Sequence, residues 1–172
     1  MARCSPSVQT HNWNEPVQIL PNQCRAARAL LDITQGQLAA KAGLGLSTIV
    51  DFERGRRTVS PDAVGHLQEV IEGLGVDLVW TWQGSGIKLR TPTPNFDPHD
   101  IQAEQIRAAR GLLGWNQLQL ATAAQVSRET IKRLEDSATS RGYAATISQV
   151  GRALRTARIT LIDSCGVFIS HP

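Results

Sequence analysis

Apolar residues recur at Cys24, Ala27, Leu30 and Leu31, and again at Ile106, Ala109, Leu112 and Leu113. That i, i+3, i+6, i+7 spacing is one face of an α-helix and predicts a helix in each stretch, the first capped by Asn22. A second helix opens at Thr34-x-x-Gln37, and at Asn116-x-x-Gln119 in the later stretch. In both, the two side chains can satisfy orphan amides as a capping box. Leu38 and Ala42 face its core side. Gly43 suits the tight turn that follows; Gln125 occupies the corresponding place, at a cost of about 1 kcal/mol or with a slight shift of the turn. A third helix runs from Gly45 or Ser127 to about Glu53 or Glu135, burying Ile49 and Phe52, or Ile131 and Leu134. Ser60-Pro61-Asp62 starts a fourth, with a cap, a proline at the first helical position and an acid in the first turn. In "VDLVWTWQGSGIKLR" Val76, Leu78 and Trp80 alternate with Asp77, Val79 and Thr81, so two strands are expected with a turn at Gly84-Ser85-Gly86. Five short helical or turn elements and two strands are expected per stretch.

The two stretches are one pattern written twice. "QCRAARALLDITQGQLAAKAG", from Gln23, lies without a gap over "QIRAARGLLGWNQLQLATAAQ", from Gln105. Arg25/Arg107, Arg28/Arg110, Leu30/Leu112, Gln35/Gln117, Leu38/Leu120, Ile49/Ile131 and Glu53/Glu135 match. One extra residue then enters the second copy before Val64, Leu67 and Ile71 fall opposite Ile147, Val150 and Leu154. "GVDLVW" and "GIKLR" lie opposite "RITLID" and "GVFIS". The organisation expected is an N-terminal extension (1–21), a first domain with a β-hairpin (22–90), a Pro-rich linker (91–101) and a second domain with a β-hairpin (102–172). Residues 1–21 match nothing in the second copy and read as an arm or a tail. Isolated two-stranded hairpins are marginal, so each is expected to pair with the other copy's hairpin, giving a monomeric pseudo-dimer, or with that of a second chain in a homodimer. Trp80 and Trp82 are expected in the core or an interface.

Composition narrows the class. The 172 residues are 41% hydrophobic and 19% charged, with a net charge of +3, which supports packed cores and only weakly favours a polyanionic partner. Cys4, Cys24 and Cys165 form no C-x-x-C pair, and His11, His66, His99 and His171 have no metal-ligand spacing. No metal or cofactor is expected. No apolar run reaches the roughly 18 residues of a membrane span, and no signal-peptide core is evident. A cytoplasmic protein without membrane contact is expected. No nucleophile elbow, P-loop, paired carboxylates or Cys/His dyad is present, so no enzyme is expected. Glu53 and Glu135 read instead as structural ion-pair partners of Arg28 and Arg110.

"TQGQLAAKAGLGLSTIVDFERG" and "NQLQLATAAQVSRETIKRLED" resemble the lambda-repressor-like (Cro, xenobiotic-response-element type) helix-turn-helix family. The resemblance spans roughly 23–79 and 105–162. It implies a mainly α fold of two tandem domains and a DNA-binding transcriptional regulator. It also implies that Gln117 meets a phosphate and that Ser127, Arg128, Glu129, Thr130, Lys132 and Arg133 lie at the groove. Their chemistry agrees. Arg128 can fork onto guanine, Glu129 can accept from cytosine, and Thr130 can meet a phosphate or a thymine methyl. Lys132 and Arg133 neutralise phosphates.

The first copy departs from this pattern. Gln35, Ser47 and Thr48 keep DNA-compatible chemistry, and Arg54, Arg56 and Arg57 form a basic cluster suited to the phosphate backbone. Leu46, Val50 and Asp51, however, stand where the second copy has Arg128, Lys132 and Arg133. They fit DNA contact of lower specificity, a protein-binding patch or packing against the extension, and the residues alone leave all three open. The function expected is a regulator reading an asymmetric operator on double-stranded DNA, mainly through the second domain. The alternative is an antiactivator or antitoxin-like regulator whose first domain captures a protein partner.

Overall fold

The computed structural model describes residues 18–56, 59–90, 101–136, 144–162 and 166–171. The extension up to Val17, the linker segment 91–100, Arg57, Cys4, Cys165, His11 and His99 lie outside the described residues. Four helices precede two strands: α1 (Pro21–Leu30), α2 (Gln35–Ala42), α3 (Leu46–Arg54), α4 (Pro61–Gly73), β1 (Val76–Thr81) and β2 (Gly84–Leu89). The same order follows in α5 (Ala103–Leu113), α6 (Gln117–Ala124), α7 (Arg128–Asp136), α8 (Ala144–Thr156), β3 (Ile159–Ile162) and β4 (Gly166–Ser170). The fold is thus mainly helical with a small antiparallel sheet. Each unit has four helices among the described residues, where five helical or turn elements were expected.

Local chemistry sets the helix ends. Thr34 Oγ1 accepts from the Gln37 N–H (3.1 Å) while Gln37 Oε1 accepts from the Thr34 N–H (2.8 Å). Asn116 and Gln119 repeat this box at 2.9 and 2.8 Å. Asn22 does not cap α1. The helix starts two residues earlier than that cap implies, at Pro21, whose missing N–H costs nothing there. Gln23 Oε1 takes the Leu20 N–H instead (3.0 Å), and Gln105 Oε1 takes that of Gln102 (3.0 Å). After α2, Gly43 is left-handed (φ 60°), and Gln125 adopts the same conformation (φ 57°) after α6.

The hairpins join into one sheet of order β1-β2-β4-β3. In the β2–β4 pairing Ile87 faces Val167, flanked by Gly86 facing Phe168 and Lys88 facing Gly166. Within the hairpins Ile87 pairs with Leu78, and Val167 with Leu161. Ile87 and Val167 therefore hold equivalent places and meet each other. Both are fully buried. The turn of the first hairpin is Trp82–Gln83, and Gly84-Ser85-Gly86 belongs to β2. Those glycines serve close approach: a Cβ on Gly84 would stand 2.0 Å from the Ile169 carbonyl oxygen, and one on Gly86 2.4 Å from that of Val167. Trp82, expected to be covered, is 83% exposed at this turn, while Trp80 is half-buried.

One continuous apolar core links the two units. The helix α1 crosses α5 so closely that a Cβ on Gly111 would lie 2.6 Å from Ala26 Cα, and Ala26 and Ala108 are wholly buried. The polar contacts there are reciprocal. Arg25 Nε donates to the Gly111 carbonyl (3.2 Å), and Arg107 Nε, at the matching position, donates to that of Ala29 (3.2 Å). Self-complementary contacts of this kind are those of an isologous interface. Ile19 and Ile101, read as extension and linker, are both core residues at 2% and 8% exposure. The Ile19 N–H donates to Gln68 Oε1 of α4 (3.0 Å).

Candidate nucleic-acid interface

Each unit holds its second and third helices at a turn closed from within. The Leu44 N–H bonds the Ala39 carbonyl and the Val126 N–H that of Ala121, both at 3.0 Å, so a left-handed residue ends each second helix. The third helix is then anchored from behind by a buried carboxylate. Glu53 is 2% exposed and Glu135 3%. Arg28 grips Glu53 with two parallel bonds, Nε to Oε1 (2.5 Å) and Nη2 to Oε2 (2.8 Å). Arg110 grips Glu135 through the same atoms at 2.5 and 2.9 Å. A planar guanidinium suits this geometry and offsets the desolvation of the buried acid. Burial opposes the charge on Arg28, but hydrogen bonding to Glu53 and its negative charge outweigh it and hold the pKa above the usual arginine value. The pairing read from the sequence is therefore present in both units.

Both anchors recruit a third residue that the sequence reading assigned to DNA alone. Gln35 Nε2 donates to Glu53 Oε2 and Gln117 Nε2 to Glu135 Oε2, each at 2.8 Å. One hydrogen of each amide is thus committed inward, which leaves the second for another acceptor. Only the tertiary fold brings the first residue of one helix to the last turn of the next, so no local spacing announces this contact. Arg25 Nη1 and Arg107 Nη1 also donate to the backbone carbonyls of Glu53 and Glu135. In the first unit Cys24 Sγ lies 3.6 Å from Glu53 Oε1. Burial first, then the adjacent carboxylate, push that thiol well above its ordinary value. Such a thiol is unreactive.

The outward faces of α3 and α7 differ. On α7, Arg128, Glu129, Lys132 and Arg133 are exposed. Ser127 Oγ caps the helix by accepting from the Thr130 N–H (3.0 Å), and it lies 2.8 Å from the hydroxyl of half-buried Thr130. Glu129 and Arg133 pair across one turn at 3.4 Å, with side chains 62% and 64% exposed. An open pair of this kind adds little to stability and is easily exchanged. On α3, glycine fills the cap position, Leu46 is 54% exposed, and Ser47 is exposed. Thr48, Val50 and Asp51 are half-buried, so Val50 contributes less open apolar surface than its sequence position suggested. Ser47, Thr48 and Asp51 border an open groove completed by Leu44, Val59, Ser60 and Ala63. Arg54, the last residue of α3, and Arg56, just beyond it, are exposed.

One exposed residue escaped the sequence reading. Leu118, next to Gln117, is 60% exposed. It falls outside the Leu120, Ala121 and Ala124 stripe that buries α6, and that offset was the available signal.

Among the described residues no group of His, Cys, Asp and Glu could hold a metal ion, and no helix is long and apolar enough to cross a membrane. Residues 25–80, from α1 to the first strand, match the helix-turn-helix family, a family of DNA-binding regulators. No curated protein matches the chain.

Proposed function

We propose that this protein is a sequence-specific DNA-binding transcriptional regulator whose two units act as an intrachain pseudo-dimer on an asymmetric operator. The reciprocal contact set carries the reading: Arg25 to Gly111, Arg107 to Ala29, and Ile87 against Val167. Two-fold dimers of helix-turn-helix proteins set their reading helices into successive major grooves about 34 Å apart. A chain containing both halves does this at high effective concentration and without self-association. The operator is asymmetric because α3 and α7 offer unlike chemistry. The second unit does most of the base reading, with Arg128 on guanine, Glu129 accepting from cytosine, and Lys132 and Arg133 on phosphates. Gln35 and Gln117 lend their remaining amide hydrogen to phosphates, while Ser47, Thr48, Arg54, Arg56 and Arg57 position the first unit on the backbone.

In-vitro selection of bound duplexes, followed by titration at fixed salt, tests this. Replacing Arg128→Ala together with Arg133→Ala is expected to lower specific affinity at least about tenfold, since a good bidentate base contact alone contributes about 1–3 kcal/mol. Intact specific binding overturns the assignment.

A second reading has one observation in its favour: an apolar side chain, Leu46, stands 54% exposed at the start of α3. On that reading the first unit captures a protein. Leu46→Asp then abolishes capture and spares DNA binding; loss of DNA binding alone excludes it.

A further inference from the structure

We infer that Arg25 and Arg107 are positioning residues that fix α3 and α7 relative to one another, and so set the half-site spacing the protein accepts on the DNA-reading proposal above. Each guanidinium joins two helix ends that belong to different units. Arg25 donates through Nη1 to the Glu53 carbonyl in the last turn of α3, and through Nε to the Gly111 carbonyl near the end of α5. Arg107 donates through Nη1 to the Glu135 carbonyl in the last turn of α7, and through Nε to the Ala29 carbonyl near the end of α1.

The chemistry favours arginine at both places. Carbonyls in the last turn of a helix lack intrahelical partners, and the helix carries partial negative charge at that end. A cation between two such ends is attracted by both. The planar fork aims separate N–H groups at fixed angles, so it sets direction as well as distance, which an ammonium on a flexible stem does not. The crossing it spans has little slack, because Gly111 leaves no room for a Cβ against Ala26. Arg28 and Arg110 hold each third helix inside its own unit; Arg25 and Arg107 alone, among these arginines, reach across.

The test replaces both residues, Arg25→Lys with Arg107→Lys, and reads two quantities that ordinary destabilisation does not move together. The first needs no DNA. Spin labels on exposed positions, through Ser47→Cys and Glu129→Cys with Cys4→Ser and Cys165→Ser, report the α3–α7 distance distribution in the free protein. Loss of the fork is expected to broaden it about twofold. The second uses duplexes selected by the wild-type protein, with one base pair inserted between the half-sites. The insertion turns one half-site by roughly 35° relative to the other. The wild-type protein is expected to lose at least about tenfold in affinity on this insertion, and the variant about threefold or less, with binding to an isolated half-site unchanged. If the double variant fails to fold, Arg25→Lys or Arg107→Lys alone carries the same comparison. An unchanged distance distribution overturns the inference, as does a broadened one that leaves spacing discrimination intact. If the wild-type protein selects no DNA, the DNA reading falls, and the distance measurement still decides whether the two arginines fix the helices.

Discussion

Replacing Glu135 by glutamine tests whether the buried anchor behind α7 works as the geometry requires. The carboxylate is 3% exposed and accepts two bonds from Arg110 and one from Gln117. Glutamine keeps the size but removes the charge. Its single oxygen can meet only one arm of the Arg110 fork, and its NH2 group faces the other arm with donors of its own. Arg110 is left as a nearly buried cation, its side chain 18% exposed. Breaking a buried pair on one side costs about 3–5 kcal/mol, and the residual exposure of Arg110 places this case near the lower end, about 3 kcal/mol. With a urea dependence of about 1–3 kcal/mol per molar, the unfolding midpoint should fall by roughly 1 M or more. Circular dichroism during urea unfolding reads it. The double replacement Arg110→Met with Glu135→Leu removes both charges and should be less damaging than Glu135→Gln alone, because no unpaired charge remains. A Glu135→Gln loss under about 1 kcal/mol, or a double variant that sums the two single losses, would refute the account of the anchor as an offset buried charge.

Two further outcomes follow from local geometry. Gln125→Gly should stabilise the protein by up to about 1 kcal/mol, because the left-handed turn after α6 strains a side-chain-bearing residue; thermal unfolding checks it. Burial keeps the Cys24 thiol protonated above its ordinary value of 9.0, whereas the unfolded chain releases that proton. The folded state then binds more protons than the unfolded one. Stability therefore falls above pH 9 by about 1.4 kcal/mol per pH unit on account of this group, and is unaffected by it below. Urea unfolding at pH 8 and pH 10 should show a smaller drop in Cys24→Ala than in the unsubstituted protein.

Much of the fold was legible because the determinants are local or periodic. The Thr34/Gln37 and Asn116/Gln119 boxes and the apolar stripes needed no tertiary information, and the Arg28–Glu53 and Arg110–Glu135 pairs followed from the equivalent places of the two glutamates near the ends of the third helices. What was not legible depended on a neighbour far along the chain. Gly84 and Gly86 look like turn residues until β4 is laid against them. Ile19 and Ile101 sit outside any periodic run, yet both are core residues. The inward hydrogen bonds of Gln35 and Gln117 exist only once α2 and α6 have met the helices that follow them.

The two units are most alike where burial constrains them and least alike where it does not. Behind α3 and α7 the same arginine, glutamine and glutamate meet with the same atoms, because each glutamate is almost fully buried and any mismatch would leave its charge without a partner. In front, Leu46 stands where Arg128 stands, and Asp51 where Arg133 stands. Surface positions of this kind change at small cost in stability. The buried anchors and the cross-unit arginines therefore make a frame able to hold two unlike outward faces in one fixed relation. On the DNA reading, a change at Leu46 or Arg128 should alter which bases one half-site prefers while leaving the distance between half-sites unchanged, and a change at Arg25 or Arg107 should do the reverse.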